Sequence, residues 1–195
     1  MFYYFLRMII SLYLKVRFRI EVIGKNNIPI KGALIIAANH VSHYDPIIIM
    51  CLVKRKIHFL AKVELFKFKI TRWFFRKVHA IPIDRNSKNM IRSIRESIST
   101  LDEDKVLGIF PEGKRLRVNE VVKPKKGVGF FALKSQAPIL PISIIGLEQK
   151  RLFRQPIKVV VSEAIKYDDI GTSNYEEIAQ YVMDMIEKNK RMTQR

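Results

Sequence analysis

Cysteine occurs once, at Cys51, and histidine only four times. A single thiol excludes an intramolecular disulfide framework, and four scattered imidazoles leave no structural zinc cluster of the usual spacing. A reducing cytoplasm suits such a chain. Long apolar runs are missing as well. In MFYYFLRMIISLYLKVRFRI the longest stretch without a charge is Met8 to Leu14, far short of the roughly 20 apolar residues a spanning helix needs. No basic region precedes Arg7 and no small-residue cleavage site follows Leu14, so a cleaved signal peptide is not expected. Glycine and proline, eight each, are too few and too dispersed to form a linker. Acidic residues are scarce: 18 Asp+Glu against 36 Lys+Arg give a net charge of +18, and no acid comes before Glu21. That excess asks for a polyanionic partner: nucleic acid, an anionic membrane face, or an acidic carrier with phosphorylated ligands.

What is present is an ordinary core. With 195 residues, 48% hydrophobic and 28% charged, the chain is too apolar for a disordered basic tail, and one domain over 17–195 is expected behind an N-terminal helix over 1–16. On a helical wheel Arg7, Ser11 and Lys15 form one narrow stripe, while Phe2, Leu6, Ile9, Ile10, Tyr13 and Val16 fill the rest. Such a helix either docks on the core or lies in a bilayer interface, and the aromatic and basic residues favour the interface.

Beyond it, apolar runs alternate with helical periodicity. Arg17 to Ile23 reads as a half-exposed strand, and Ala33 to Ala38 as one buried on both faces. Ile57 to Ala61, Ala80 to Ile83, Val106 to Phe110, Ile139 to Ile145 and Ile157 to Val161 repeat the pattern. Between them, Pro46 to Val53 follows Asp45 as an N-cap with Pro at the first helical position. Ile91, Ile94, Ile98 and Leu101 recur at helical spacing, as do Ile178, Tyr181, Val182, Met185 and Ile186, with Ser173-x-x-Glu176 as a capping box. This order predicts an α/β fold with a mostly parallel central sheet flanked by helices. In such sheets chemistry sits in loops past the carboxyl ends of strands, which selects those after Ala38, Ile83 and Phe110.

The first loop places His40 directly after a buried strand, with Asp45 five residues on, a spacing that suits a carboxylate orienting a general base. The same segment also reads as a plain cap, Ser42-x-x-Asp45. His43 is a rival base, placed inside the turn. The other two loops carry Arg85 and Arg115 just past strand ends, where a guanidinium can grip phosphate bidentately, and Pro111 and Gly113 stiffen the turn around Glu112. No metal-ligand set accompanies them.

These residues carry a resemblance. Asn39-His40-x4-Asp45-Pro46, Phe59-Leu60-Ala61-Lys62-x-Glu64-Leu65, Ile83-Asp84-Arg85, Phe110-Pro111-Glu112-Gly113-x-Arg115 and Pro138-Ile139-Leu140-Pro141-Ile142, over residues 18 to 146, resemble the ordered blocks of the 1-acylglycerol-3-phosphate acyltransferase family. The resemblance implies a glycerolipid acyltransferase-like fold in which His40 deprotonates an acceptor hydroxyl that attacks an acyl thioester, while Asp45 orients the imidazole. It implies that Arg85, Glu112, Gly113 and Arg115 form the acceptor's glycerol-phosphate site, with Lys62 an extra cation. It also implies lysophosphatidic acid as acceptor, phosphatidic acid as product, acyl carrier protein or coenzyme A thioester as donor, no bound cofactor and no metal. The sequence departs from the family pattern at His79, where Gly is common, and at Lys114-Arg115-Leu116, where Thr-Arg-Ser is common.

Between Lys54 and Lys77 nine Lys/Arg and a single acid, Glu64, are interleaved with Phe66, Phe68, Trp73, Phe74 and Phe75. Phe66, Ile70, Trp73 and Phe74 recur at helical spacing beside Lys69, Arg72 and Arg76, a face suited to an anionic membrane surface. The expectation is a peripheral or monotopic protein on the cytoplasmic face of the cell membrane. Another lyso-lipid acceptor is the alternative within the class. A nucleic-acid-binding protein would explain the charge but not the three polar loops, and no nucleic acid is expected. A phosphoester hydrolase lacks a metal set and a nucleophile in those loops.

Overall fold

The computed structural model describes residues 1–84, 90–117, 120–149 and 151–193. Its strands are β1 (Phe18–Ile23), β2 (Leu34–Ala38), β3 (Ile57–Lys62), β4 (Ile81–Ile83), β5 (Val106–Ile109), β6 (Ile139–Ile145) and β7 (Gln155–Val161). The helices are α1 (Phe2–Arg17), α2 (Tyr44–Leu52), α3 (Lys69–Lys77), α4 (Met90–Asp102), α5 (Gly127–Ser135) and α6 (Tyr175–Thr193). One seven-stranded sheet runs in the order β1-β7-β6-β2-β5-β3-β4. The five strands from β6 to β4 are mutually parallel, β7 pairs antiparallel with β6, and β1 pairs parallel with β7. The antiparallel step falls at the short β6–β7 connection, which returns the chain in the opposite direction.

β2 is central and wholly buried, and alternation splits it between two cores. Leu34, Ile36 and Ala38 pack with Leu14, Phe18, Ile48 and Ile49, on the side of α1 and α2. Ile35 and Ala37 pack with Leu107, Val128, Phe131, Ile178 and Val182, on the side of α5 and α6. The sheet is therefore covered on both faces, as continuous apolar strands require.

Two local expectations shift. The helix expected from Pro46 begins at Tyr44, so Asp45 lies buried in the first turn and is not its N-cap. Half of the Ser42 box survives, because the Asp45 carboxylate accepts the Ser42 N–H at 2.7 Å while the Ser42 hydroxyl accepts the Tyr44 N–H at 3.2 Å. The last helix is capped by Asn174, whose Oδ1 accepts the Glu176 N–H at 2.9 Å. Glu177 reaches back to Asn174 Nδ2 and the Thr172 hydroxyl, so the box lies one residue beyond Ser173. On α1, Arg7 of the polar stripe turns towards the core. Its guanidinium donates to the Val53 carbonyl at 3.1 Å, and α1 docks through Tyr3 and Leu14. Tyr4, Phe5, Met8, Ile9, Leu12, Tyr13 and Val16 are left exposed.

Candidate active site

Asn39 directly follows β2 and is buried. Its Nδ2 donates to the Ile144 carbonyl at 2.8 Å and its Oδ1 accepts the Ile144 N–H at 2.7 Å, tying the strand end to β6. His40 therefore leaves the sheet from a fixed point. Asp45 is fully buried, and one of its oxygens, Oδ2, accepts the N–H groups of Val41 and Ser42, both at 2.7 Å, and lies 2.8 Å from His40 Nδ1. A carboxylate so occupied can only accept, which assigns the proton to Nδ1 and leaves Nε2 with a free lone pair. The His40 ring stacks on Phe110 at 4.1 Å between centroids, and Phe110 stacks on Phe59 at 5.7 Å. The imidazole is held by one hydrogen bond and one aromatic face.

The loop after β5 holds the same residue from the other side. Gly113 adopts φ 71, a left-handed conformation that glycine takes without a Cβ penalty, and its N–H closes a turn on the Phe110 carbonyl at 2.9 Å. Glu112 is thereby turned inward, only 2% exposed, with Oε1 accepting the His40 N–H at 3.1 Å. The Leu116 N–H donates to the His40 carbonyl at 2.8 Å. Burial pushes the Glu112 carboxyl up to about 7, against the opposing pull of its own N–H, the His40 N–H and the Lys190 charge. Glu112 Oε2 and Asp45 Oδ1 are buried without a hydrogen-bond partner among the described residues.

The cations are arranged at the rim. Arg115 is exposed and its guanidinium donates to His43 Nε2. Burial first, then the positive charge of Arg115, lowers the His43 pKa, which keeps its ring neutral and able to accept. Lys62 ends β3 opposite Ile83 of β4, at the same carboxyl edge of the sheet. Arg85 lies outside the described residues. Among the described residues no group of three His, Cys, Asp or Glu side chains suits a metal ion. Cys51 is half-buried on α2, with burial raising its thiol pKa.

His40, Asp45, Glu112, Gly113 and Arg115 thus meet at one end of the parallel sheet, in the loops after β2 and β5 and the first turn of α2, with Lys62 on a neighbouring strand end. Sequence alone gives no role to Asn39, Phe110 or the Leu116 N–H. Asn39 and Phe110 stood in the same motifs, but a backbone N–H carries no sequence signal. A neutral imidazole nitrogen on a buried carboxylate can take a proton from a hydroxyl and return it to a leaving group.

The profile of the Acyltransferase family matches residues 19–145. A protein of Bacillus subtilis (strain 168) named 1-acyl-sn-glycerol-3-phosphate acyltransferase is 32% identical over 161 residues, covering 81% of this chain and 79% of that one. A protein of the same name from Borreliella burgdorferi is 28% identical over 177 residues, covering 87% and 71%. The crystal structure of the 1-acyl-sn-glycerophosphate (LPA) acyltransferase PlsC from Thermotoga maritima superposes with a TM-score of 0.75 at 28% identity, covering 91% of this chain and 73% of that one.

Proposed function

The chain belongs to the acyltransferase family, and from that premise we propose that it transfers a fatty acyl group from a thioester to the 2-hydroxyl of lysophosphatidic acid, giving phosphatidic acid for phospholipid synthesis. The observation that carries the reading is His40, its Nδ1 on Asp45 and both its backbone groups held by the loop after β5. In the proposed reaction Nε2 takes the hydroxyl proton as the acceptor oxygen bonds to the thioester carbonyl carbon. The tetrahedral intermediate then collapses with cleavage of the C–S bond, and the imidazolium returns the proton to the departing thiolate. An ester and a thiol result, with no net change in the enzyme.

Arg115, Arg85 and Lys62 are proposed to receive the acceptor's phosphate, for which the fork of a guanidinium is suited. Glu112 is given a different task. Glu112 is buried and its oxygen already holds the His40 N–H, so it positions the base's loop, while Gly113 supplies the turn. The donor is an acyl thioester of acyl carrier protein or coenzyme A, both anionic and matched by the net charge of +18.

The protein is further proposed to attach to the cytoplasmic face of the cell membrane without crossing it. Among the described residues no helix is long and apolar enough to span. The exposed apolar side of α1 and the exposed Phe68, Ile70 and Trp73 at α3 support a monotopic attachment. Supplying the purified protein with acyl donors and a panel of lyso-lipids, then identifying the acylated product by mass, tests the reading. Acylated lysophosphatidic acid is the expected major product, and selective acylation of another lyso-lipid would move the assignment within the family.

A further inference from the structure

At the amino ends of the parallel strands, opposite the His40 loop, an open groove of about 650 Å³ lies between the first turn of α1 and α3. Among the described residues the side chains of Lys56, Lys69, Arg72, Arg76 and Lys77 line it, and no acidic one does. Arg72 is fixed in part by its Nε donating to the Phe66 carbonyl at 3.0 Å. Like charges are rarely gathered around a concave surface unless an anion offsets their repulsion. His79 also lines it, with φ 61 in the left-handed region that side chains other than glycine seldom adopt. Its ring rests 5.7 Å from that of Tyr3 and 5.2 Å from that of His58. On the rim Phe2 and Trp73 meet edge to face at 5.3 Å. From there the apolar surface continues along α1 through Tyr4, Phe5, Met8 and Leu12.

We propose that this groove binds the phosphate headgroup of an anionic bilayer phospholipid, a lipid site separate from the one that presents the acceptor to His40. The inference rests on the membrane attachment proposed above and adds a named place to it. Charge selects the phosphate, and the flanking Trp and Phe set its depth. Indole rings favour the headgroup level, and Lys and Arg reach the same level from their apolar stems. A strand rises about 3.3 Å per residue, so the five residues of β2 put roughly 16 Å between the groove and the His40 end of the sheet. A lipid in the groove is therefore a resident of the membrane and not the acceptor being acylated.

Trp73 is the single tryptophan of the chain, so its fluorescence reports on the groove alone. The experiment titrates full-length protein with vesicles of phosphatidylcholine, with or without phosphatidylglycerol, and follows Trp73 emission together with flotation. The expected result is a blue shift that saturates at lower lipid concentration on the anionic vesicles. Arg76→Gln with Lys77→Gln should raise the lipid needed for half the shift about thirtyfold, from the loss of roughly 1 kcal/mol for each of the two basic residues. Lys166→Gln with Lys188→Gln, an equal charge change outside the groove, should leave it within about twofold. Inorganic phosphate at the same salt should not produce the shift. Should the first pair unfold the protein, Lys56→Gln with Lys69→Gln alters the groove from other positions. Equal effects of groove and control pairs would mean diffuse attraction and overturn the site, as would flotation with unchanged Trp73 emission, or a shift produced by phosphate alone. Failure to float on any vesicle would overturn the attachment itself.

Discussion

Glu112 Oε1 accepts the backbone N–H of His40 at 3.1 Å across 72 positions of sequence. With the Leu116 N–H on the His40 carbonyl, the loop after β5 grips both main-chain polar groups of the residue proposed as base. Two buried carboxylates then fix one imidazole, Asp45 through its side chain and Glu112 through its backbone.

Asp45 should matter for stability as well as rate. Asp45→Ala removes the acceptor for the Val41 and Ser42 N–H groups and for His40 Nδ1. Each buried group left unpaired costs about 1–3 kcal/mol, so a large fall in Tm is expected. Asp45→Asn keeps an acceptor, and should fold while losing turnover. Thermal unfolding and initial rates measured side by side separate the two effects, and equal Tm values for wild type and Asp45→Ala would contradict this account.

Opposite pH slopes are expected from two buried groups. Glu112 titrates from an ordinary 4.5 to about 7 in the folded state, so its contribution falls as pH rises from 4.5 through 7. His58, driven down from 6.5 to about 4 by burial, gives stability that is fully present above 6.5 and lost as pH falls towards 4. The Glu112 contribution amounts to about 3 kcal/mol at most, that of the less buried His58 is smaller because solvent screens it, and between pH 4.5 and 6.5 the two oppose each other. Glu112→Gln should uncover the His58 slope, seen as unfolding free energy rising with pH over that range. An unchanged pH profile would show that Glu112 carries no such load.

The Arg115 guanidinium is steadied only while His43 can accept from it. Below the pH at which His43 takes a proton, two cations face each other, and KM for lysophosphatidic acid should rise while KM for the donor stays constant. His43→Ala should raise acceptor KM several-fold at neutral pH and abolish that acid limb. Arg115→Ala should raise it further, with Lys rescuing only in part because the fork is lost. Equal effects on both substrates would make the pair structural.

Removing the whole of α1 would damage the core, since Tyr3 and Leu14 are buried and the Tyr3 hydroxyl accepts the Ile57 N–H at 3.3 Å. Replacing exposed Phe5, Met8 and Leu12 with Gln instead should weaken vesicle flotation by tenfold or more, as each side chain forgoes about 1.5 kcal/mol of burial. Turnover of a short-chain, monomeric acceptor should be retained. Unchanged flotation would count against α1 as the membrane contact.

The layered fold was legible because its central strands are unbroken apolar runs, and β6 appears over the very residues expected, 139–145. The helix α5 was not. Its segment Gly-Val-Gly-Phe-Phe carries two glycines, which lower helix propensity, yet a Cβ at Gly129 would stand 2.3 Å from the Tyr175 carbonyl oxygen, so close packing against α6 requires the glycine. The spacing of His40 and Asp45 made the pair a candidate, and the resemblance of the surrounding motifs raised it above a plain helix cap. The grip of Glu112 could not, because it joins a side chain to a backbone group, and the backbone of one residue looks like that of any other in sequence. Similarly, the wheel of α1 marked which residues are apolar, but only tertiary contact shows that Arg7 faces Val53 and that the apolar side is the open one.

The most direct measurement is the rate of phosphatidic acid formation from lysophosphatidic acid and an acyl thioester by wild type and His40→Ala of matched Tm. Loss of the general base should lower the rate by about 10² to 10⁴ with little change in either substrate's apparent affinity. A folded His40→Ala protein that forms phosphatidic acid at close to the wild-type rate would contradict the account.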